Sequence, residues 1–197
     1  MKPKRSHSGE LPVLAFPTVR SWVAWLDAHH DTSPGVWLRL AKKDCAIELI
    51  HHRHALEEAL CYGWIDGQLK PESETTWRVK FTPRRNRSIW SKINREKALA
   101  LIESGRMKPP GLKEVERARA DGRWEAAYDS QSKATVPADL EKALDRNPRA
   151  KAFFATLDSA NRYAVLWRIQ TAKKPETRAR RIQEFVAMLA RHEKLHP

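Results

Sequence analysis

The spacing of apolar residues changes at Pro83 of this 197-residue chain. Before it, residues 77–81 (WRVKF) alternate apolar and basic side chains, which is typical of a strand with one buried face. Residues 36–43 and 64–70 also read as strands, and Pro83 ends the third strand because proline cannot donate to a sheet. After Pro83, apolar residues recur at helical spacing. The change predicts an α+β protein, with a small antiparallel sheet and helices in the N-terminal part and an all-helical C-terminal module.

Residues that favour helix ends place several of the helices. Gly63 follows a helix predicted over residues 53–62, at the position where a left-handed conformation is favoured. Ser88 is expected to cap a helix over residues 89–103. The last helix presents an apolar face formed by Ile182, Phe185, Val186 and Leu189.

Composition divides the chain into three parts. Residues 1–10 are polar and charged, and they predict a disordered lead-in. Residues 11–127 hold the α+β domain, in which some segments space their apolar residues as strands do and others as helices do. The polar segment 128–136 reads as a linker, so residues 128–197 are predicted to form the C-terminal helical module.

The net charge of +13 is concentrated after residue 70. Residues 71–123 hold fourteen Lys and Arg against seven Asp and Glu. Such a field favours anionic partners, which include nucleic acid, phosphorylated metabolites and the headgroup surface of a membrane. The alternative, that generally basic residue usage merely gives a solvated surface, stays open.

No segment approaches the run of about 20 apolar residues that spans a bilayer. The N-terminus carries positive charge but develops no apolar core of a signal peptide, so we expect a cytoplasmic protein. The two cysteines, Cys45 and Cys61, lack metal-type spacing, and a reducing cytosol would keep them as thiols.

Three arginines, Arg84, Arg85 and Arg87, stand in a predicted loop that leads to the helix capped by Ser88. Unpaired N–H groups at a helix start favour anions, and guanidinium groups add bidentate donors matched to phosphate or carboxylate. Trp90, one turn into that helix, could stack on a base or cover an apolar ligand. For the aromatic residues on the preceding strand, an ordinary core is the favoured interpretation, since alternation on a strand usually means a buried face.

Asp66 is the second unusual residue, because aspartate is uncommon in the middle of a strand. We expect it to pair with an arginine of the 84–87 loop, and a role as general base is the alternative. His51, His52 and His54 suggest zinc, yet no zinc-type spacing accompanies them, so we predict neither metal nor cofactor. The signatures of nucleotide binding and of serine hydrolases are also missing from the sequence.

The segments ALEEALCYGWIDGQLK and FTPRRNRSIWSKINREKALALIESGRMKPPGL, with NRYAVLWRIQTAKKPETRARRIQEFVAMLA near the C-terminus, carry a family resemblance. Together they resemble the YdeI/OmpD-associated (OmdA-type, bacteriocin-protection) family. The resemblance implies a cytosolic bacterial protein linked to envelope stress and to tolerance of bacteriocins or antimicrobial peptides. It supplies no catalytic set, and His52 and His54 stand where members usually show Tyr and Glu. The positions in the shared motif that are candidates for a common pocket are Trp64, Asp66, Arg84, Arg85, Ser88, Trp90 and Asn94.

Three functions are consistent with these residues. The first is a non-enzymatic protein that binds an anionic small molecule on the Arg84–Ser88 loop. The second is a nucleic-acid-binding protein that uses the same basic and aromatic surface. The third is an enzyme that acts on a small anionic substrate, with Asp66 as base and the arginines orienting the substrate.

Overall fold

The computed structural model describes residues 10–42 and 47–197, which form two compact units. The first unit contains the residues up to 88 together with 96–122, and the second contains 89–95 together with 123–197. Whether residue 127 is also a domain boundary stays a prediction. Nearly all of the predicted lead-in lies outside the described residues.

The first unit is built on a four-stranded sheet whose strands are β1 (Val13–Ala15), β2 (Val36–Ala41), β3 (Trp64–Pro71) and β4 (Thr76–Pro83). Their order across the sheet is β1-β2-β4-β3. β2, β4 and β3 pair antiparallel as predicted, whereas β1 lies parallel to β2, so the sheet is mixed. The sequence does not predict β1, because three residues are too few to show a period. The α+β class is confirmed.

The helices of this unit are α1 (Val19–His29), α2 (His52–Cys61), most of α3 (Lys92–Glu103), and α4 (Pro109–Ala120). α1 begins with a capping box, in which the Oγ1 of Thr18 accepts the N–H of Ser21 at 3.1 Å. α2 matches the helix predicted over residues 53–62 to within one residue.

Fully buried tryptophans attach α1 and α2 to the sheet. Trp22 on α1 donates its indole N–H to the carbonyl of Ala55 on α2 at 3.1 Å, and its ring lies 5.8 Å from that of Phe81 on β4. Trp64 donates its indole N–H to the carbonyl of His30 at 3.0 Å. Because each buried donor meets a backbone carbonyl, the aromatic core fixes the register of the helices as well as their packing.

The second unit contains α5 (Ala138–Asp145), α6 (Pro148–Thr156), α7 (Ser159–Gln170) and α8 (Pro175–Ala190). Asn147 caps α6 and Asp158 caps α7 through hydrogen bonds from the backbone to their side chains. The predicted apolar face of α8 is confirmed, since Ile182, Phe185 and Leu189 are buried in the helical core. Across the described residues, no helix combines the length and the apolar character needed to cross a membrane.

α4 packs closely on the C-terminal end of α2 at Gly111. A Cβ atom added to Gly111 would lie 2.7 Å from the carbonyl oxygen of Leu60, and still closer to the carbonyl oxygen of Cys61 and the sulfur of Met107. Two of these three neighbours are backbone atoms, so they cannot move aside without shifting α2. The contact therefore requires glycine.

We expect Gly111→Ala to lower the free energy of unfolding by about 1–3 kcal/mol through overpacking. This loss outweighs the gain in helix propensity of about 1 kcal/mol that alanine usually brings. The measurement is urea unfolding followed by circular dichroism.

Gly67→Ala is the matched control, because the nearest atom to an added Cβ there is the carbonyl oxygen of Lys80 at 3.7 Å. It should change the free energy of unfolding by less than about 0.5 kcal/mol. Equal stability of the two variants would contradict the close approach at Gly111.

Candidate anion-binding site

The arginine-rich segment after β4 forms a turn that precedes the helix. The Oγ of Ser88 accepts the N–H of Arg85 at 2.9 Å. α3 begins at Lys92, and the Oγ of Ser91 accepts the N–H of Asn94 at 3.1 Å, as an N-cap does. The prediction that Ser88 caps a helix from residue 89 is therefore wrong. Its hydroxyl is used in a local bond between side chain and backbone, which competes with capping.

Arg84 differs from its neighbours in the turn by its burial. Its side chain is buried, whereas Arg85 and Arg87 are exposed. The N–H of Arg84 donates to the carbonyl of Gly63 at 2.9 Å, directly after the last pair of the β3–β4 ladder, Trp64 with Pro83. The ladder thus holds Arg84 beside the turn that joins α2 to β3.

Gly63 makes that turn with φ of +72°, which confirms the predicted left-handed position after α2. A Cβ atom added to it would lie 2.9 Å from the carbonyl oxygen of Pro110 and 2.9 Å from the Cγ of Glu114. Both its conformation and its distance from α4 therefore require glycine. The absence of a side chain brings α4 next to the end of the sheet.

A cavity of about 510 Å³ opens beside Gly63, within the size range of small-molecule sites. It is bounded by the loop after α1, the α2–β3 turn, the end of β4 and the first turns of α4. The polar and aromatic residues that line it are His30, Asp31, Tyr62, Trp64, Arg84, Lys113, Glu114 and Arg117.

The charged groups of the cavity are three bases, Arg84, Lys113 and Arg117, and two acids, Asp31 and Glu114, which leaves +1 with histidine neutral. Arg117 donates to Glu114, one turn earlier in α4, and to the Oδ1 of Asn86 at 2.8 Å. These contacts hold the Arg117 guanidinium at the cavity wall. Two guanidinium groups and one ammonium group suit a phosphate or a carboxylate.

The N-terminus of α4 adds few backbone donors to this site. Pro109 and Pro110 occupy its first positions and have no N–H. The N–H of Leu112 is already bonded to the carbonyl of Lys108 at 3.0 Å. Most of the donors available to an anion are therefore side chains, in contrast to the helix-start site that the sequence predicts.

Tyr62 gives the cavity an uncharged aromatic wall. Its hydroxyl donates to the Oδ1 of Asp27 at 2.6 Å. Burial, and secondly this hydrogen bond to a carboxylate, raise the pKa of Tyr62 above its ordinary value, so the phenol stays neutral.

Two of the predicted site residues, Trp64 and Arg84, line this cavity. Arg85, Arg87 and Ser88 lie in the turn and are not among its lining residues.

The remaining predicted residues lie elsewhere. Trp90 belongs to the second unit, where it is buried with its ring 4.9 Å from that of Trp124, and Asn94 is in the same unit. A ligand-binding role for these residues stays a prediction.

Asp66 pairs with His52: the Oδ2 of Asp66 lies 2.9 Å from the Nε2 of His52. The predicted pairing of Asp66 with an arginine of the 84–87 loop is therefore wrong. Asp66 stands opposite Phe81 in the ladder, two residues along β3 from Trp64, and this places it near the start of α2. Arg84 lies at Gly63, beside the end of α2. Asp66 and Arg84 therefore lie near opposite ends of α2.

Sequence reasoning misses Lys113, Glu114 and Arg117. They belong to α4, about thirty residues along the chain from the arginine turn. Charged residues on a surface helix carry no signal of a site, because most of them are solvated. The approach of α4 to Gly63 places them on the cavity wall.

Among residues 10–42 and 47–197, no group of three or more His, Cys, Asp or Glu is arranged to hold a metal ion. Cys45 lies outside the described residues. Cys61 is buried, and burial raises the pKa of its thiol to about 11. Cys61 is thus held as a neutral thiol inside the core.

The first unit is a mixed sheet flanked by helices with a basic cavity at one end, and the second is a helical unit. The family described as a domain of unknown function (DUF8412) has a model that matches residues 14–114, just over half of the chain. The protein belongs to that family. A second model, described as Bacteriocin-protection, YdeI or OmpD-Associated, matches residues 133–192 and confirms the YdeI/OmpD-associated resemblance there. Comparisons with curated proteins and with solved structures found no match.

The raised pKa of Tyr62 gives a pH dependence of known sign. Above pH about 10 the unfolded chain ionises this tyrosine while the folded state keeps its proton. The folded state then binds more protons, so its free energy of unfolding falls as the pH rises. We expect Tyr62→Phe to cost about 1 kcal/mol at neutral pH, from the lost hydrogen bond, and to show a shallower fall between pH 8 and pH 11. Urea unfolding at both pH values tests this, and equal slopes for the two proteins would contradict it.

Proposed function

We propose that this protein binds a small molecule with a phosphate or carboxylate group, in the cavity lined by Arg84, Lys113 and Arg117, and that it is a binding protein without catalytic activity. The observation that carries the proposal is the convergence of these three bases on one cavity of small-molecule size. They come from two segments far apart in the sequence. Such convergence of donors on a concave site is typical of ligand pockets.

The burial of Arg84 strengthens the case. Its side chain is nine-tenths withdrawn from solvent, and a charge is costly to hold away from water. The attraction between this buried charge and a bound anion would be stronger than at the open surface, where water screens it. Exposed arginines such as Arg85 and Arg87 lack this advantage.

We infer that binding takes place in the cytoplasm and supports tolerance of bacteriocins or other antimicrobial peptides under envelope stress. The support is the match of residues 133–192 to the family described as Bacteriocin-protection, YdeI or OmpD-Associated. A cytoplasmic protein would act on such toxins indirectly, through a metabolite or regulator that carries the anionic group.

Lys113→Gln combined with Arg117→Gln tests the site. Each change removes a charge while keeping a side chain of comparable length. We expect inorganic phosphate, pyrophosphate or citrate to bind the wild type saturably at one site in isothermal titration calorimetry. The double variant should bind about tenfold more weakly or worse, since one charge-assisted hydrogen bond is worth at least about 1.4 kcal/mol.

Arg85→Gln combined with Arg87→Gln is the matched control, because it removes two exposed charges from the adjacent turn. It should leave binding unchanged. Loss of binding in the control alone would place the anion on the turn and contradict the cavity. Wild type could instead form a complex with duplex DNA that weakens steeply as salt is added. If the Arg85→Gln, Arg87→Gln variant does not form that complex, nucleic-acid binding is favoured.

The proposed protective role makes a separate prediction for living cells. A strain that lacks the gene should survive a bacteriocin or a cationic antimicrobial peptide less well than its parent. Wild type and the Arg85→Gln, Arg87→Gln variant should restore survival, whereas the Lys113→Gln, Arg117→Gln variant should not. Full restoration by the cavity variant would separate protection from anion binding.

A further inference from the structure

A second cavity, of about 520 Å³, lies in the first unit and shares no lining residue with the cavity at Arg84. It opens where α2 begins, beside the ends of β2 and β4. Its wall is mostly apolar, with Trp77, Leu69 and Pro71 from the sheet. Leu69 is 59% exposed and lies on the same cavity wall as Trp77 and Pro71. This wall is suited to the apolar body of a ligand.

The polar part of the wall is held in place. Trp77 donates its indole N–H to the carbonyl of Ala41 at 3.3 Å, which fixes the ring against the sheet. The imidazole of His52 lies 5.6 Å from the Trp77 ring, and its Nε2 is bonded to Asp66. His52 and Trp77 therefore form a rigid corner, and a preorganised corner loses little entropy on binding.

The charged side chains among the described lining residues are Lys42 and Arg53, while Asp66, which is bonded to His52, does not line the cavity. Among the described residues that line the cavity there is no acid, while His51, His52 and Arg53 start α2. The first turn of α2 contains no acidic residue, and its N-cap, His51, makes no side-chain capping bond. The start of a helix is itself positive, so it adds to the attraction of Arg53 for an anion. The 79% exposed Arg53 can reach such an anion, since its ion pair with Glu57 is loose at 3.3 Å.

We propose that this cavity binds a small amphiphilic anion, with a carboxylate or phosphate head at the start of α2 and an apolar body against Trp77 and Leu69. Charge complementarity selects the head, and the apolar wall selects the body. The site is independent of the anion-binding function proposed above, since the two cavities share no residue.

Calorimetry with four probes of one chain length tests the proposal: octanoate, octyl phosphate, octan-1-ol and octylammonium. We expect one of the two anions to bind at a single saturable site, and the alcohol and the cation to bind at least about tenfold more weakly. The preferred anion identifies the head group. Equal binding of the alcohol, or the failure of both anions to bind, would overturn the proposal.

Two variants locate the site. Leu69→Ser should weaken binding of the preferred anion, because it removes an apolar contact with the ligand body. Arg53→Gln should weaken binding of that anion about fivefold, because it removes a charge beside the head group. The Arg53→Gln variant should still bind the anion more tightly than it binds octan-1-ol. Arg149→Gln, an exposed arginine of the second unit, is the control and should bind as wild type does. Unchanged binding in both cavity variants would place the probe elsewhere and refute the site.

The Lys113→Gln, Arg117→Gln variant separates this proposal from the first. It should retain binding of the preferred amphiphilic anion in full while losing phosphate, pyrophosphate or citrate. Trp77→Phe gives a direct readout, because any change in tryptophan fluorescence on binding should shrink in this variant. The fluorescence change on binding could instead be the same in Trp77→Phe as in wild type. If the Lys113→Gln, Arg117→Gln variant also loses binding, the probe binds in the Arg84 cavity.

Discussion

The close approach of α4 to the end of α2 is the contact on which the rest of the first unit depends. Two glycines allow it: Gly63, in a left-handed turn against Pro110 and Glu114, and Gly111, against the backbone of Leu60 and Cys61. The N–H of Lys108 also bonds to the carbonyl of Cys61 at 3.2 Å, so the start of α4 is anchored to the end of α2. Because Gly63 also accepts the N–H of Arg84, one crossing positions the buried arginine and the helix that carries Lys113 and Arg117. A side chain at either glycine would open the crossing and the cavity together.

The position of a basic residue on a cavity wall, more than its number of basic neighbours, distinguishes the candidate site from the charged surface around it. The arginine turn has three guanidinium groups, but only Arg84 is both buried and on a cavity wall. Water screens the charges of Arg85 and Arg87, so their attraction for an anion is weak and depends on salt. Lys113 and Arg117 stand in a sequence that looks like any solvated helix, and yet they face the same cavity as Arg84. The geometry of the fold thus decides which charges line the same cavity.

Local pattern was enough to predict much of the fold. The alternation in WRVKF, the apolar stripe of α2 and the glycine after it each follow from a short-range rule, and the structure agrees with them. Choices between equivalent local signals were not predictable: Ser88 and Ser91 can both cap a helix, and only the turn at Arg85 determines which one does. The partner of Asp66 was also beyond the sequence, because strand register brings it to His52. Of the candidate cavity, the sequence contained Trp64 and Arg84 but no signal for the bases of α4.

The basic stretch from Thr75 to Arg95 shows why a dense positive run need not form one binding surface. Its residues have different tasks: Arg78 lies 3.4 Å from Glu72, which Arg39 also binds, while Lys92 pairs with Asp129 at 2.7 Å in the second unit. Arg95 donates to the carbonyl of Trp124 at 3.1 Å.

The hydrogen bond from Arg39 holds the pKa of Glu72 below its ordinary value, so this pair is charged at neutral pH. The contribution of the pair to stability is lost as the pH falls through that lowered pKa. Two arginines of α8 likewise meet acids, with Arg178 bound to Asp139 and Arg180 to Glu184. Charges used in this way stabilise local structure, and the number of basic residues therefore overstates the positive surface that an incoming nucleic acid would meet.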